Sequence, residues 1–160
     1  MTIEIICVGK LKEKYWQEAA AEYIKRLGRF CNVKITELPE VRLAGSSSAD
    51  EAAVVRAESE AIAAKLSPGQ GSYTIALAVK GKSLSSEGLA EKMAGLALEG
   101  KSRIVFVIGG SLGLTDELVR SCDMALSFSA MTFPHQLMRV VLLEQVYRAF
   151  KINAGENYHK

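Results

Sequence analysis

The chain has 160 residues, 49% of them apolar and 24% charged, with 20 basic against 18 acidic side chains and a formal net charge of +2. This is the composition of an ordinary soluble globular protein, and the length suits one domain, residues 1–160, that buries about 70% of its unfolded surface. A net charge this small excludes any claim of nucleic-acid binding from the total, so an RNA site would have to come from local clustering of charge.

Two further classes are set aside early. Ile3 to Val8 is too short for the apolar core of a signal peptide and is followed by lysines, and no apolar run approaches membrane-spanning length. A cytoplasmic protein without a membrane partner is therefore expected. Cys7, Cys31 and Cys122 are far apart, with no CxxC spacing and no nearby histidine, so they read as free thiols and no metal site is expected.

In chain order, Thr2 to Val8 is rich in β-branched residues and predicts a strand that Gly9 ends. Leu11 to Leu27 predicts a helix with Trp16, Ala20, Tyr23 and Leu27 on one face. Lys12, Lys14, Lys25, Arg26 and Arg29 lie on its other side, either as a solvated face or as a patch that neutralises RNA phosphates. Asn32 to Leu38 predicts a second strand, stopped by Pro39. The small and polar loop Ala44 to Ala49 is the best candidate for disorder, and a helix over Asp50 to Leu66 follows, with Ser48 and Glu51 as a capping box. Tyr73 to Val79 predicts strand three. Ser85 or Ser86 then caps a helix whose face carries Leu89, Met93, Leu96 and Ala97 before Gly100 ends it.

The stretch from Ile104 to His135 is the most informative. Ile104 to Ile108 predicts a fully buried strand. It breaks on Gly109-Gly110-Ser111-Leu112-Gly113, where the backbone can turn sharply and approach a ligand. A short helix capped by Thr115 and a strand over Ala125 to Ser129 follow. The loop after that strand is apolar where a chain leaving a sheet is normally polar: Phe128-Ser129-Ala130-Met131-Thr132-Phe133. Two loops leaving neighbouring strands at their carboxyl ends occupy the position where open α/β sheets bind ligands. Apolar walls beside exposed backbone groups suit a flat heteroaromatic such as adenine. The chain closes with a helix from His135 to about Ile152 and a polar tail.

Strands alternating with helices five times predict an α/β fold, a mostly parallel sheet with helices on both faces. A dinucleotide-binding Rossmann domain is excluded, because the first turn, Val8-Gly9-Lys10-Leu11, has one glycine. A P-loop is excluded as well, since IGGSLGLTD lacks Lys-Ser or Lys-Thr after its last glycine.

The segments IGGSLG and LSFSAMTFPHQLMRVVLLEQVYRAFKI, with the terminal NYHK, closely resemble the ribosomal RNA large-subunit methyltransferase H family, small members of the SPOUT methyltransferases. The resemblance spans essentially the whole chain and implies a C-terminal trefoil knot, a feature too rare to be proposed from periodicity. It implies S-adenosyl-L-methionine as cofactor, contacted by Leu77, Gly109 and the loop Phe128, Ser129, Ala130, Met131, Thr132 and Phe133. It implies methylation of N3 of a pseudouridine in 23S rRNA of the ribosome's large subunit, by a homodimer. Tyr158 and His159 match the family's terminal aromatic-histidine pair, and Arg148 is expected to steer a phosphate or base, unless it is simply paired with Glu144 at i, i+4. Lys160 stands where some relatives have arginine. Ser111-Leu112 replaces the Pro-Glu of some relatives, so an acidic side chain is missing from that loop. Another SPOUT specificity (ribose 2′-O or tRNA base methylation) and a noncatalytic ribosome- or RNA-binding protein are the alternatives.

Overall fold

A computed structural model describes residues 1–66, 69 and 71–159; Lys160 lies outside the described residues. Ten elements alternate along the chain: β1 (Thr2–Val8), α1 (Lys14–Leu27), β2 (Asn32–Leu38), α2 (Ser48–Ala63), β3 (Ser72–Ser83), α3 (Ser86–Leu98), β4 (Arg103–Ile108), α4 (Asp116–Ser121), β5 (Met124–Ser127) and α5 (His135–Asn153). The five strands form one sheet in the order β2-β1-β4-β3-β5, and every pairing in it is parallel.

Burial on both faces explains why β1 and β4 read as continuous apolar runs. Ile3, Ile5 and Cys7 of β1 and Ile104, Phe106 and Ile108 of β4 point to one side. There they join Ala20 and Leu27 of α1, Leu89, Ala90, Met93 and Leu96 of α3, and Leu142, Leu143, Val146 and Ala149 of α5. The alternate residues Ile6, Val8, Val105 and Val107 meet Ile62 of α2 and Leu118 of α4 on the other side. Helices therefore cover both faces, as the alternation predicts.

Several boundaries move, each for a local reason. The first helix begins at Lys14, because residues 9–13 form a connection whose Leu11 carbonyl accepts from the Gln17 side chain, 2.7 Å. The capping box of α2 is one residue earlier than expected: the Ser47 hydroxyl accepts from the Asp50 amide and Asp50 reaches back to the Ser47 amide. The helix thus takes up Ser48 and Ala49 of the loop expected to be disordered. In α3, Ala90 is buried in place of the exposed Ala97. Strand β3 does not stop at Val79. After pairing Leu77 with Leu126 it bulges outward and returns to pair Lys82 with Leu126 and Ser83 with Ser127. Gly81 is required in this detour, since a Cβ there would lie 2.7 Å from the carbonyl carbons of Ala125 and Leu126. The edge strand β5 is anchored by Asp123, whose Oδ2 accepts from the Thr74 amide and hydroxyl at 2.7 Å each.

Candidate active site

Because all strands are parallel, their carboxyl ends share one edge, and β4, β3 and β5 are consecutive there. Gly109 follows β4, Leu77 sits at the β3 bulge, and Phe128 to Phe133 follow β5, so three contact regions far apart in sequence meet at adjacent strand ends.

The glycine loop is tight. An antiparallel bridge joins Gly110 to Gly113, whose amide donates to the Gly110 carbonyl at 3.1 Å, and Gly113 adopts φ +86°. A Cβ on Gly109 would fall 2.6 Å from the Gly113 carbonyl oxygen. The sequence reading placed this glycine against a ligand; in the structure the nearer constraint is the loop's own backbone. The loop is also held from below by α2. The Ser59 hydroxyl accepts from the Thr115 amide at 3.0 Å, and the buried Glu58 carboxylate lies where a Gly110 side chain would be. Although residues 109–113 carry no acidic side chain, Glu58 brings one to them from α2, a partnership that fifty intervening residues conceal.

The loop after β5 is shaped by its own hydroxyls. Ser127 Oγ donates to the Ser129 carbonyl at 3.1 Å, and Ser129 Oγ accepts from the Met131 amide at 3.0 Å. Phe128 turns inward against the core, while Met131 and Phe133 are 73% and 40% exposed. Ala130 and Thr132 are exposed as well, and among the described residues the amides of Ala130, Thr132 and Phe133 have no intramolecular partner. Exposed apolar side chains interleaved with unpaired backbone donors match what an adenosine requires of a wall, so these residues fit S-adenosylmethionine.

Arg148, Tyr158 and His159 come together, but elsewhere. Arg148 donates from Nε (3.0 Å) and Nη2 (2.6 Å) to Glu144 Oε1, which also accepts from the Tyr158 hydroxyl at 3.2 Å. The same guanidinium lies over the Tyr158 ring, 4.7 Å to its centroid. The expected i, i+4 ion pair is therefore present together with the contacts to the tail. Arg148 Nη1 donates to His159 Nδ1 at 3.2 Å, which leaves the imidazole proton on Nε2, facing Glu87 Oε1 at 2.6 Å. The Glu87 backbone amide, the Ser85 hydroxyl and His159 hold the Glu87 carboxyl down at about 2. Burial, helped by Tyr23 and Glu144, pushes the Tyr158 phenol up to about 12. With the tail docked in this way, neither Tyr158 nor His159 is a free base, since one keeps its proton and the other has both nitrogens engaged. Among the described residues no hydrogen bond or ion pair joins this cluster to the 128–133 loop.

The basic face of α1 is largely neutralised: Lys12 pairs with Glu40, Lys14 with Glu18, Arg26 with Glu22 and Arg29 with Glu156. Burial pushes the Cys7 and Cys31 thiols up to about 11, which disfavours the thiolate at neutral pH. Among the described residues there is no group of metal-ligand type, and no helix is long and apolar enough to cross a membrane.

The chain is similar to solved structures at identities that show only a shared fold. One is a probable methylase family protein from Haemophilus influenzae Rd KW20, with TM-score 0.56, 16% identity, and coverage of 99% of this chain and 70% of that one. Another is a probable methyltransferase from Bordetella pertussis Tohama I, with TM-score 0.53, 14% identity, and coverage of 92% and 95%. Among curated proteins it is similar over full length to the ribosomal RNA large subunit methyltransferase H of Clostridium novyi (strain NT), at 54% identity, and to that of Bacillus cytotoxicus, at 51%. Each alignment covers 100% of both chains. The family described as "Predicted SPOUT methyltransferase" matches residues 1–159, from the first strand to the docked tail, and the chain belongs to it.

Proposed function

We propose that the protein transfers a methyl group from S-adenosyl-L-methionine to N3 of a pseudouridine in 23S rRNA of the large ribosomal subunit. The observation that carries this reading is the full-length likeness, at 54% and 51% identity, to proteins named ribosomal RNA large subunit methyltransferase H. The convergence of Leu77, Gly109 and Phe128 to Phe133 at three adjacent strand ends supports it. Bound there, S-adenosylmethionine would supply a methyl group on a positively charged sulfur. The chain's part is mostly placement: the Phe128–Phe133 backbone orients the adenosine, Met131 and Phe133 exclude water from it, and the glycine loop sets the distance to the substrate. The trefoil knot that the family resemblance implies belongs to the same reading.

A homodimer belongs to this proposal. Leu137, Met138 and Val141 of α5 remain only half-buried and outside both cores, a second apolar stripe that a symmetric partner would cover. Arg148 of α5 and the tail residues Tyr158 and His159 would complete an active site across that interface, which requires His159 to leave Glu87. In the dimer a chain carrying Gly109→Val and a chain truncated after Asn157 should each be inactive alone. Co-refolded in equal amounts they should recover about a quarter of wild-type activity, because half the dimers are mixed and each has one intact site of two. No recovery would place the tail's action within its own subunit.

Mass mapping of 23S rRNA from a deletion strain, with and without the gene restored, tests the function directly. One methyl group lost from a pseudouridine and regained on complementation is the expected result. A methyl lost from a ribose or from tRNA would reassign the specificity. Failure of the pure protein to bind S-adenosylmethionine would leave it an RNA-binding protein without catalysis.

A further inference from the structure

Strands β1 and β4 are neighbours in the sheet, yet the chain leaves β1 toward the face covered by α1 and leaves β4 toward the face covered by α4. A crevice opens where adjacent strands send their connections to opposite faces, and such crevices bind ligands. A cavity of about 300 Å³ lies at this one. One wall is Ser111 and Leu112 of the glycine loop, so the cavity adjoins the proposed cofactor seat at that loop, and none of the 128–133 residues lines it.

The lining has a definite chemistry. Val41, Leu43, Val54 and Leu112 are apolar. Opposite signs of charge face each other around the polar part. Glu40 accepts from Lys12 Nζ at 3.1 Å and stands 3.9 Å from His135 Nε2, while Gln136 Oε1 accepts from the Lys12 amide at 3.0 Å. Glu58 Oε1 accepts from the Val41 amide at 3.0 Å. His135 Nδ1 is buried and has no partner among the described residues. A lone pair tolerates this better than an N–H, so the imidazole proton sits on Nε2, turned toward Glu40. Such a lining fits neither a simple anion nor a simple cation. It offers donors and acceptors to a flat polar edge, with apolar contact beside it.

Residues next in sequence to the lining add a second, independent indication. Arg42 stands between the lining residues Val41 and Leu43, and Lys10 stands two residues before Lys12. Both are exposed and have no ion pair among the described residues, whereas Lys12, Lys14, Arg26 and Arg29 are paired. Unpaired cations next in sequence to a small cavity lined by both signs of charge are suited to a polyanionic strand that sends one uncharged group inside. Resting on the reading that the substrate is RNA, we propose that this cavity receives the target pyrimidine, turned out of its strand, with Lys10 and Arg42 on the flanking phosphates. Enzymes that act on a base within a folded strand must extract it, and they read its edge in a pocket of this kind. Glu58 positions both sides of the cavity at once, through the Val41 amide and against Gly110.

The test fills the cavity from its rim. Leu43 is 47% exposed, so Leu43→Trp can enlarge the side chain without disturbing the core; Val41→Trp does the same from the neighbouring rim position, which is 40% exposed and outside the glycine loop. Each variant is compared with the wild-type chain in calorimetric titration with S-adenosylmethionine and in single-turnover methylation of 23S rRNA. An RNA hairpin with 2-aminopurine beside the methylated position reports unstacking. The expected result is cofactor affinity within twofold of wild type, methylation slowed at least tenfold and loss of the fluorescence rise. Lys10→Ala with Arg42→Ala should lower the slope of log affinity against log salt by about 1.4, the value for two single-strand phosphate contacts. If cofactor affinity falls in step with methylation, the cavity is part of the cofactor seat and the proposal fails. Wild-type methylation rates in both filled variants would also overturn it, leaving the assigned function intact. A wild-type chain that methylates no 23S rRNA would instead overturn the function on which the proposal rests.

Discussion

Gly109→Ala separates a glycine needed by a turn from one needed by a ligand. The added Cβ would stand 2.6 Å from the Gly113 carbonyl oxygen, 2.7 Å from its carbon and 3.0 Å from Leu114 Cδ2. Two of these neighbours are backbone, held by the Gly110–Gly113 bridge, so they cannot swing aside as a side chain would. To bring the oxygen contact beyond 3.0 Å the whole hairpin-like loop has to shift. Overpacking of this kind costs about 1–3 kcal/mol of stability. If the loop's backbone also sets the cofactor's position, affinity should fall at least tenfold, equivalent to about 1.4 kcal/mol. Urea denaturation measures the first quantity and calorimetric titration with S-adenosylmethionine the second. The expected outcome is a folded protein, destabilised within that range, with the affinity loss appearing at temperatures well below unfolding. Destabilisation with unchanged affinity would refute the assignment, leaving Gly109 a residue of the turn alone.

Other expectations test the scaffold. Arg139 is 1% exposed and joins α5 to Glu37 at 2.6 Å and to the Gly9 carbonyl at 2.8 Å, so Arg139→Met should cost about 3 kcal/mol in denaturant unfolding; a loss below 1 kcal/mol would show that the pair only offsets its own desolvation. Gly95 lies inside α3 with nothing within 4 Å of its added Cβ, so Gly95→Ala should raise stability by about 0.5–1 kcal/mol in the same assay. Burial pulls the Glu4 carboxyl up, but Arg103 and Lys34 outweigh it and hold the group below the ordinary 4.5. Its contribution is therefore present above about pH 4.5 and lost as pH falls through the lowered folded value, so Glu4→Gln should destabilise the protein at pH 7 and converge with wild type in acid. Parallel unfolding curves at all pH values would remove Glu4 from the acid response.

Strand and helix identities were legible because burial on two faces leaves a strong mark: Ile104 to Ile108 can be little else than a central strand. The order of strands was not, since nothing in the residues of β4 states that it inserts between β1 and β3. The continuation of β3 through Lys80-Gly81-Lys82 was hidden for a different reason. A ladder is made by backbone groups, and polar side chains there reflect solvent exposure, not an end to pairing. Both loops proposed for the cofactor were legible as loops, from glycines and from misplaced apolar residues. The cavity between β1 and β4 was not, because Lys12, Glu40, Glu58 and His135 come from four separate connections and helices. Arg139 carried a signal as a cation within an apolar helix, shared with Arg148 and Lys151, and only the structure supplies its partners Glu37 and Gly9.

The placement of α5 also governs when the protein can finish folding. Leu142, Leu143, Val146 and Ala149 complete the core that Ile3, Ile5 and Phe106 begin, and Arg139 reaches back across 130 residues to the Gly9 carbonyl. During synthesis β1 emerges before α5, so one side of the central sheet has no complete cover until α5 has left the exit tunnel. The nascent chain therefore carries an open, sticky face for most of its translation, and a message truncated before codon 142 yields a product with no means of closing it.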